Sequence, residues 1–196
     1  MPILHLSELQ EQPWKNGGGT TREITAERHG DSFLWRLSIA DVASDGPFSR
    51  FVGRRRILTV VEGNGMKLIG PNTSLDAKLG VPVQFEGNLE IVSRLKDGPL
   101  RDLNLIFDPK LCTGQVTLVK GGERCQFFVG DGVTLAVYCI DGVIELNQTG
   151  RLGKGDTATT QTGEFYVSVT EGSLALLVEI CRVHQLDPRR SAIAAR

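Results

Sequence analysis

The chain has 196 residues, of which 40% are hydrophobic and 23% charged, so it has the material for one good core or two small ones sharing an interface. Its formal net charge of −1 excludes a long-range field that would gather nucleic acid or an anionic membrane surface. No stretch approaches the ~20 apolar residues of a membrane span and no basic leader follows Met1, so a cytoplasmic protein is expected.

The 23 glycines and eight prolines predict many tight turns between short elements, the pattern of an all-β chain. Only Leu6 to Gln12 and a turn near the end read as helical. Strands follow in chain order. Thr20 to Ala26 comes first, then Trp35 to Ala40, where Trp35, Leu37 and Ile39 share one face and Arg36 and Ser38 the other. Ile57 to Val61, Met66 to Ile69, Leu103 to Phe107 and Val116 to Val119 continue the series. Leu135 to Ile140, Val143 to Leu146, Phe165 to Val169 and Leu174 to Ile180 complete it, and a frayed tail is predicted beyond. Glu62-Gly63-Asn64-Gly65 and Asp141-Gly142 supply the positive-φ positions of tight turns, and each predicts a β-hairpin.

A weak internal repeat runs through these elements. Phe51-Val52-Gly53 leads through an apolar strand to Glu62-Gly63, and Phe128-Val129-Gly130 leads through another to Asp141-Gly142. The working architecture is a duplicated, jelly-roll-like barrel, with an N-terminal unit over residues 1–110, a C-terminal unit over 111–184 sharing strands with it, and a tail over 185–196.

Cys112, Cys125, Cys139 and Cys181 are scattered, without a C-x-x-C pair, and read as buried free thiols. His5, His29 and His184 are separated and lie outside both acidic-Gly turns, so no metal and no cofactor is expected.

Polar chemistry concentrates in three places. Pro13-Trp14-Lys15-Asn16-Gly17-Gly18-Gly19, followed by Arg22 and Glu23, offers either a backbone anion nest or a Trp14 plug with a glycine bulge; it is not a phosphate loop, because Lys15 precedes the glycines. Arg36 and Ser38 share a strand face that either lines a barrel or meets solvent. Asp102 and Asn104 project together from a strand start, where they hold a polar ligand or cap a turn. Arg54-Arg55-Arg56 reads as a solvated strand entry, with Arg56 inward and Arg55 outward.

Pro13 to Glu23, Trp35 to Ala40, Gly46-Pro47-Phe48-Ser49, Glu62-Gly63 and Arg101 to Asn104 together resemble the HutD/Ves family. Val52 and Arg55 depart from its usual residues. The resemblance implies a two-cupin (bicupin) fold and an association with bacterial histidine utilisation, which the family is thought to moderate. It also implies that the three clusters converge on one site. Trp14 is then an apolar wall, Lys15, Arg22 and Arg36 are anion partners, and Asn16, Ser38, Asp102 and Asn104 orient the ligand. The leading expectation is a metal-independent binder of a small carboxylate such as urocanate or formylglutamate. The alternatives are a metal-independent enzyme, with Glu23 or Asp102 as base and Lys15 as acid, and a stress-associated protein-interaction scaffold; a homodimer is also expected as an option.

Overall fold

The structure is a computed structural model that describes residues 2–30, 32–147 and 150–183; His184 and the tail predicted over 185–196 lie outside the described residues. It is built almost entirely of strands. The first part contains β1 (Ile3–Leu4), β2 (Glu11–Pro13), β3 (Gly19–His29), β4 (Ser32–Val42), β5 (Gly46–Pro47) and β6 (Arg55–Glu62). It continues with β7 (Met66–Gly70), β8 (Thr73–Ala77), β9 (Val83–Glu86), β10 (Val92–Leu95) and β11 (Leu100–Phe107). The second part contains β12 (Cys112–Lys120), β13 (Arg124–Val129), β14 (Val133–Asp141), β15 (Ile144–Leu146), β16 (Gly150–Leu152), β17 (Thr157–Thr160), β18 (Gly163–Val169) and β19 (Leu174–Arg182).

These strands form two pairs of sheets whose order repeats. In the first half β4-β11-β6-β9 faces β5-β10-β7-β8; in the second, β12-β19-β14-β17 faces β13-β18-β15-β16. The first half adds β2 and β3 beyond β4, and β1 crosses to pair with β17 of the second half, Ile3 opposite Ala158. A bulge recurs at the same place in both, beside Asp102 in one half and Ala175 in the other, so the registers align residue by residue.

Three apolar clusters hold the layers together. One lies between the two large sheets, where Trp35, Leu37, Ile39, Leu103 and Leu105 meet Val116, Ala136, Tyr138, Leu176 and Val178. The other two fill the halves: Leu58, Val60, Met66 and Leu68 in the first, Leu135, Val137, Ile144 and Phe165 in the second. The central strands β4, β11, β14 and β19 are therefore covered on both faces, which is why their sequences are apolar with few interruptions. Each interruption on an inward face marks a position where something other than packing is required.

Every predicted strand overlaps an observed one. The predicted helix is corrected: only Leu6–Glu8 forms a single 3-10 turn, and Glu11–Pro13 is extended against Thr20 to Arg22. A seven-residue stretch ending at a proline is too short to offset helix nucleation, and the residue before proline favours extended backbone. The two predicted hairpins are corrected as well. β6 and β7 do not pair with each other, nor do β14 and β15; the acidic-Gly turns carry the chain from one sheet of a half to the other. Their glycine chemistry was read correctly, since Gly63 and Gly142 have φ of 95° and 77°, and a Cβ on Gly142 would lie 2.1 Å from Ser173 Oγ. Turn type alone does not say whether the flanking strands stay in one sheet.

Candidate functional site

Between the six-stranded sheet and the Trp14 loop, the first half opens into a cavity of about 550 Å³. Its floor is a set of rungs across β4, β11 and β6. Arg36, Ile106 and Arg56 form the outer rung, Ser38, Asn104 and Leu58 the next, and Ala40, Asp102 and Val60 the deepest. The period of two that places Trp35, Leu37 and Ile39 in the inter-sheet core places Arg36 and Ser38 in the cavity.

Trp14, Lys15, Asn16, Arg36, Ser38 and Asn104 all line this cavity. Asp102 lies behind it, fully buried, and is joined to it through Asn104. Arg56 Nε donates to Asn104 Oδ1 at 2.7 Å, and Asn104 Nδ2 donates to Asp102 Oδ1, giving a buried Arg-Asn-Asp chain. Asp102 Oδ2 and Arg36 Nε are buried without a hydrogen-bond partner among the described residues. Burial drives the Asp102 carboxyl up to about 6 against the pull of Arg56 and Asn104, and drives the Arg56 guanidinium down to about 10. Burial likewise lowers Arg36, with Glu23 opposing it.

Both guanidiniums sit on aromatic rings. Arg56 lies 4.6 Å from the Phe48 ring centre and 5.5 Å from that of Phe85, and Arg36 lies 5.2 Å from Phe51 and 5.3 Å from Phe33. The wall above them is Trp14, whose Nε1 donates to Thr21 Oγ1 at 2.7 Å and whose ring meets Phe48 edge-on. The glycines that follow are structural rather than an anion nest. Gly17 N–H donates to Trp14 O, Gly18 N–H to Asn16 Oδ1, and a Cβ on Gly19 would meet Asp41 O at 2.2 Å.

Arg22 and Glu23 lie outside the cavity. Arg22 is on the opposite face of β3, where it bonds Asp41 and Glu11; Arg101 bonds Asp41 and Glu62 at 2.7 Å each, and Lys154 of the second half reaches Glu62 at 3.4 Å. Burial raises the Asp41 carboxyl, but Arg22 and Arg101 together hold it below its ordinary value. Glu23 shares the sheet face of Ser38, with which it pairs, yet its carboxylate is taken by Arg28 at 2.6 Å. The pair of residues predicted by adjacency is thus split by the alternation of the strand itself.

Arg56 is the site residue that sequence reasoning passed over. The basic run divides as its alternation suggests, Arg55 bonding Glu86 outside and Arg56 turning in, while Arg54 bonds Asp108. The signal was the parity of Arg56 with Leu58 and Val60, both interior. Among the described residues no three of His, Cys, Asp and Glu are grouped to hold a metal ion. His5 is spent on Asp156 at 2.8 Å, and the four cysteines are free, Cys112 and Cys139 buried and Cys125 and Cys181 half-buried.

A sequence model of the HutD family matches residues 6–177. The chain belongs to the HutD family. An uncharacterised 21.2 kDa protein in the hutC 3′ region of Pseudomonas putida is 33% identical over 159 residues, covering 77% of this chain and 80% of that protein. Protein Ves of Cronobacter sakazakii is 30% identical over 149 residues, 75% of this chain and 80% of that one. The structure of HutD from Pseudomonas fluorescens SBW25 superposes with a TM-score of 0.82 at 30% identity, covering 93% of this chain and 99% of that chain. At 11% identity and a TM-score of 0.56, a cupin 2 conserved barrel domain protein from Leptotrichia buccalis covers 92% of this chain and 96% of its own, a likeness of fold. This HutD-family chain is therefore all-β and cupin-like, and the family model spans the cavity and most of the second half alike.

Proposed function

We propose that this HutD-family protein is a binding protein for a small carboxylate, such as urocanate or formylglutamate, that moderates bacterial histidine utilisation. In this reading the halves are two cupin units, and only the first, within residues 1–110, keeps a polar site. The observation that carries it is a contrast among the arginines. Arg22, Arg28, Arg54, Arg55 and Arg101 are all neutralised by carboxylates, whereas Arg36 and Arg56, which line the cavity, have no ion pair among the described residues. A buried guanidinium without an anion is costly, and a bound carboxylate relieves that cost through bidentate bonds. The lining supplies guanidinium, amide and hydroxyl groups rather than imidazole or carboxylate, which suits an organic acid better than a metal. The relative from the hutC region and the structural likeness to HutD supply the link to histidine utilisation.

The test is calorimetric titration of the protein with urocanate, formylglutamate, glutamate and histidine. At least one acid is expected to bind, and Arg56→Met to weaken it by about tenfold or more, the loss associated with removing a charged hydrogen-bond partner. Failure of every acid to bind, with the wild-type protein folded, overturns the reading.

A further inference from the structure

Away from the cavity, the second half leaves a sheet edge open. We propose that a second copy of this chain docks on β13, antiparallel and in the register that sets Gln126 opposite its own copy. In its sheet β13 is an outermost strand, six residues long, paired to β18 without a bulge. Its counterpart in the first half, β5, has only two residues, and one of them is Pro47, which has no N–H to offer. β13 contains neither proline nor lysine, the usual guards of an exposed edge, and its Phe128 is 78% exposed.

The ladder decides which main-chain groups face outward. Asn147 N–H donates to Tyr166 O, and Val169 N–H donates to Glu123 O, so Tyr166 turns its main chain away from β13 and Val169 turns towards it. Along β13 it is therefore Cys125, Phe127 and Val129 that bond β18, while Arg124, Gln126 and Phe128 present N–H and C=O to the open edge. The side chains of these three residues are also the exposed ones. A copy related by a two-fold axis through Gln126 pairs all of these groups and sets Arg124 opposite the second copy's Phe128. Charge completes the match. Within its own sheet Arg124 faces Ser168, and Glu164 faces Phe128 and accepts only from Tyr166 Oη, at 2.6 Å, and from Gln126 among the described residues. Across the axis each Arg124 lies over a phenylalanine ring with a Glu164 one strand behind it, and the symmetry repeats the contact. A slip of the register in either direction sets Arg124 opposite Gln126 or Gly130 and loses it.

The experiment is sedimentation equilibrium on the full chain over a concentration series, with the thermal midpoint of each variant as the check on folding. The wild type is expected to form a dimer, and Phe128→Lys to raise its dissociation constant by about tenfold or more, the loss expected of an aromatic anchor. Gln126→Pro is expected to do likewise, because it removes an N–H that β18 does not use. Arg124→Glu should weaken the dimer, and the further change Glu164→Arg should recover part of the loss. The register is tested by Gln126→Cys, which is expected to cross-link to its own copy under mild oxidation beyond the level of the wild type; directly opposed residues of a hydrogen-bonded pair stand about 5.5 Å apart, within disulfide reach. A monomeric wild type overturns the inference, as does a dimer that Phe128→Lys and Gln126→Pro both leave unchanged. A dimer in which Gln126→Cys does not cross-link overturns the register.

Discussion

The two halves of this molecule share strand order, bulge and back-to-back sheet, yet their interiors differ rung by rung. Where the first half reads Arg36-Ile106-Arg56, the second reads Gln115-Glu179-Leu135; Ser38-Asn104-Leu58 corresponds to Thr117-Leu177-Val137, and Ala40-Asp102-Val60 to Val119-Ala175-Cys139. In the second half the inner rungs carry Leu177, Val137, Val119, Ala175 and Cys139, all buried, with Thr117 exposed beside them. The first gives up that packing to hold two arginines, an amide and a carboxyl. The barrel thus forms without buried polar groups on those rungs, so the polar rungs of the first half are not a requirement of the fold.

The largest effect is expected from transplanting a polar residue between the halves. Leu177→Asn introduces into the second half the residue that occupies the equivalent place in the first, without the Arg56 and Asp102 that satisfy it there. The variant is expected to lose about 3–4 kcal/mol in urea denaturation, from lost apolar burial and an unpaired amide. A loss under about 1 kcal/mol would mean that the second interior tolerates polarity and that the contrast is accidental.

A smaller effect sharpens the role of Asp102. Its folded carboxyl is raised from 3.8 to about 6, so between those values the native state holds more protons than the unfolded chain. Stability from this group is therefore present at low pH and declines as pH rises through about 6. In Asp102→Asn that decline disappears, so the variant is expected to gain roughly 2–3 kcal/mol on the wild type between pH 4 and pH 7.5. Anion affinity of the wild type should rise as pH falls through the same region, because the proton removes the negative charge behind Arg56, and the variant should be insensitive. The smallest change tests the seam between the halves: Lys154→Ala removes an exposed bond to Glu62 and is expected to cost about 0.5 kcal/mol or less in the same denaturation assay.

How much of this was legible in the sequence follows from where each residue sits. Long central strands announced themselves, because alternation or continuous apolarity leaves little else for Trp35 to Ala40 or Leu174 to Ile180 to be. Short strands such as Thr73–Ala77 and Thr157–Thr160 escaped, since brief polar segments take extended form only through their neighbours. Trp14, Arg36, Ser38 and Asn104, which the family resemblance brought together and strand alternation left open between cavity and solvent or cap, all line the cavity. Arg22 and Glu23 were grouped with them by adjacency, but Arg22 faces away and Glu23 is held by Arg28. Arg56 was read as inward but not as part of a site, because it stands in a basic run with Arg55, which bonds Glu86 outside, and Arg54, which bonds Asp108. The pairing of opposite charges across strands, which decides which cation is left over, requires knowledge of register that one strand's sequence does not carry.

The first strand gives the fold a particular order of assembly. Ile3 and Leu4 are synthesised long before their partners Ala158 and Thr157. Until then the first strand has no edge to join, and the five-stranded sheet of the second half ends at an open β17. Closing it is a contact of very long sequence separation, which belongs late in folding. The nascent protein can thus assemble its cavity-bearing half while its own leading strand still waits for a place.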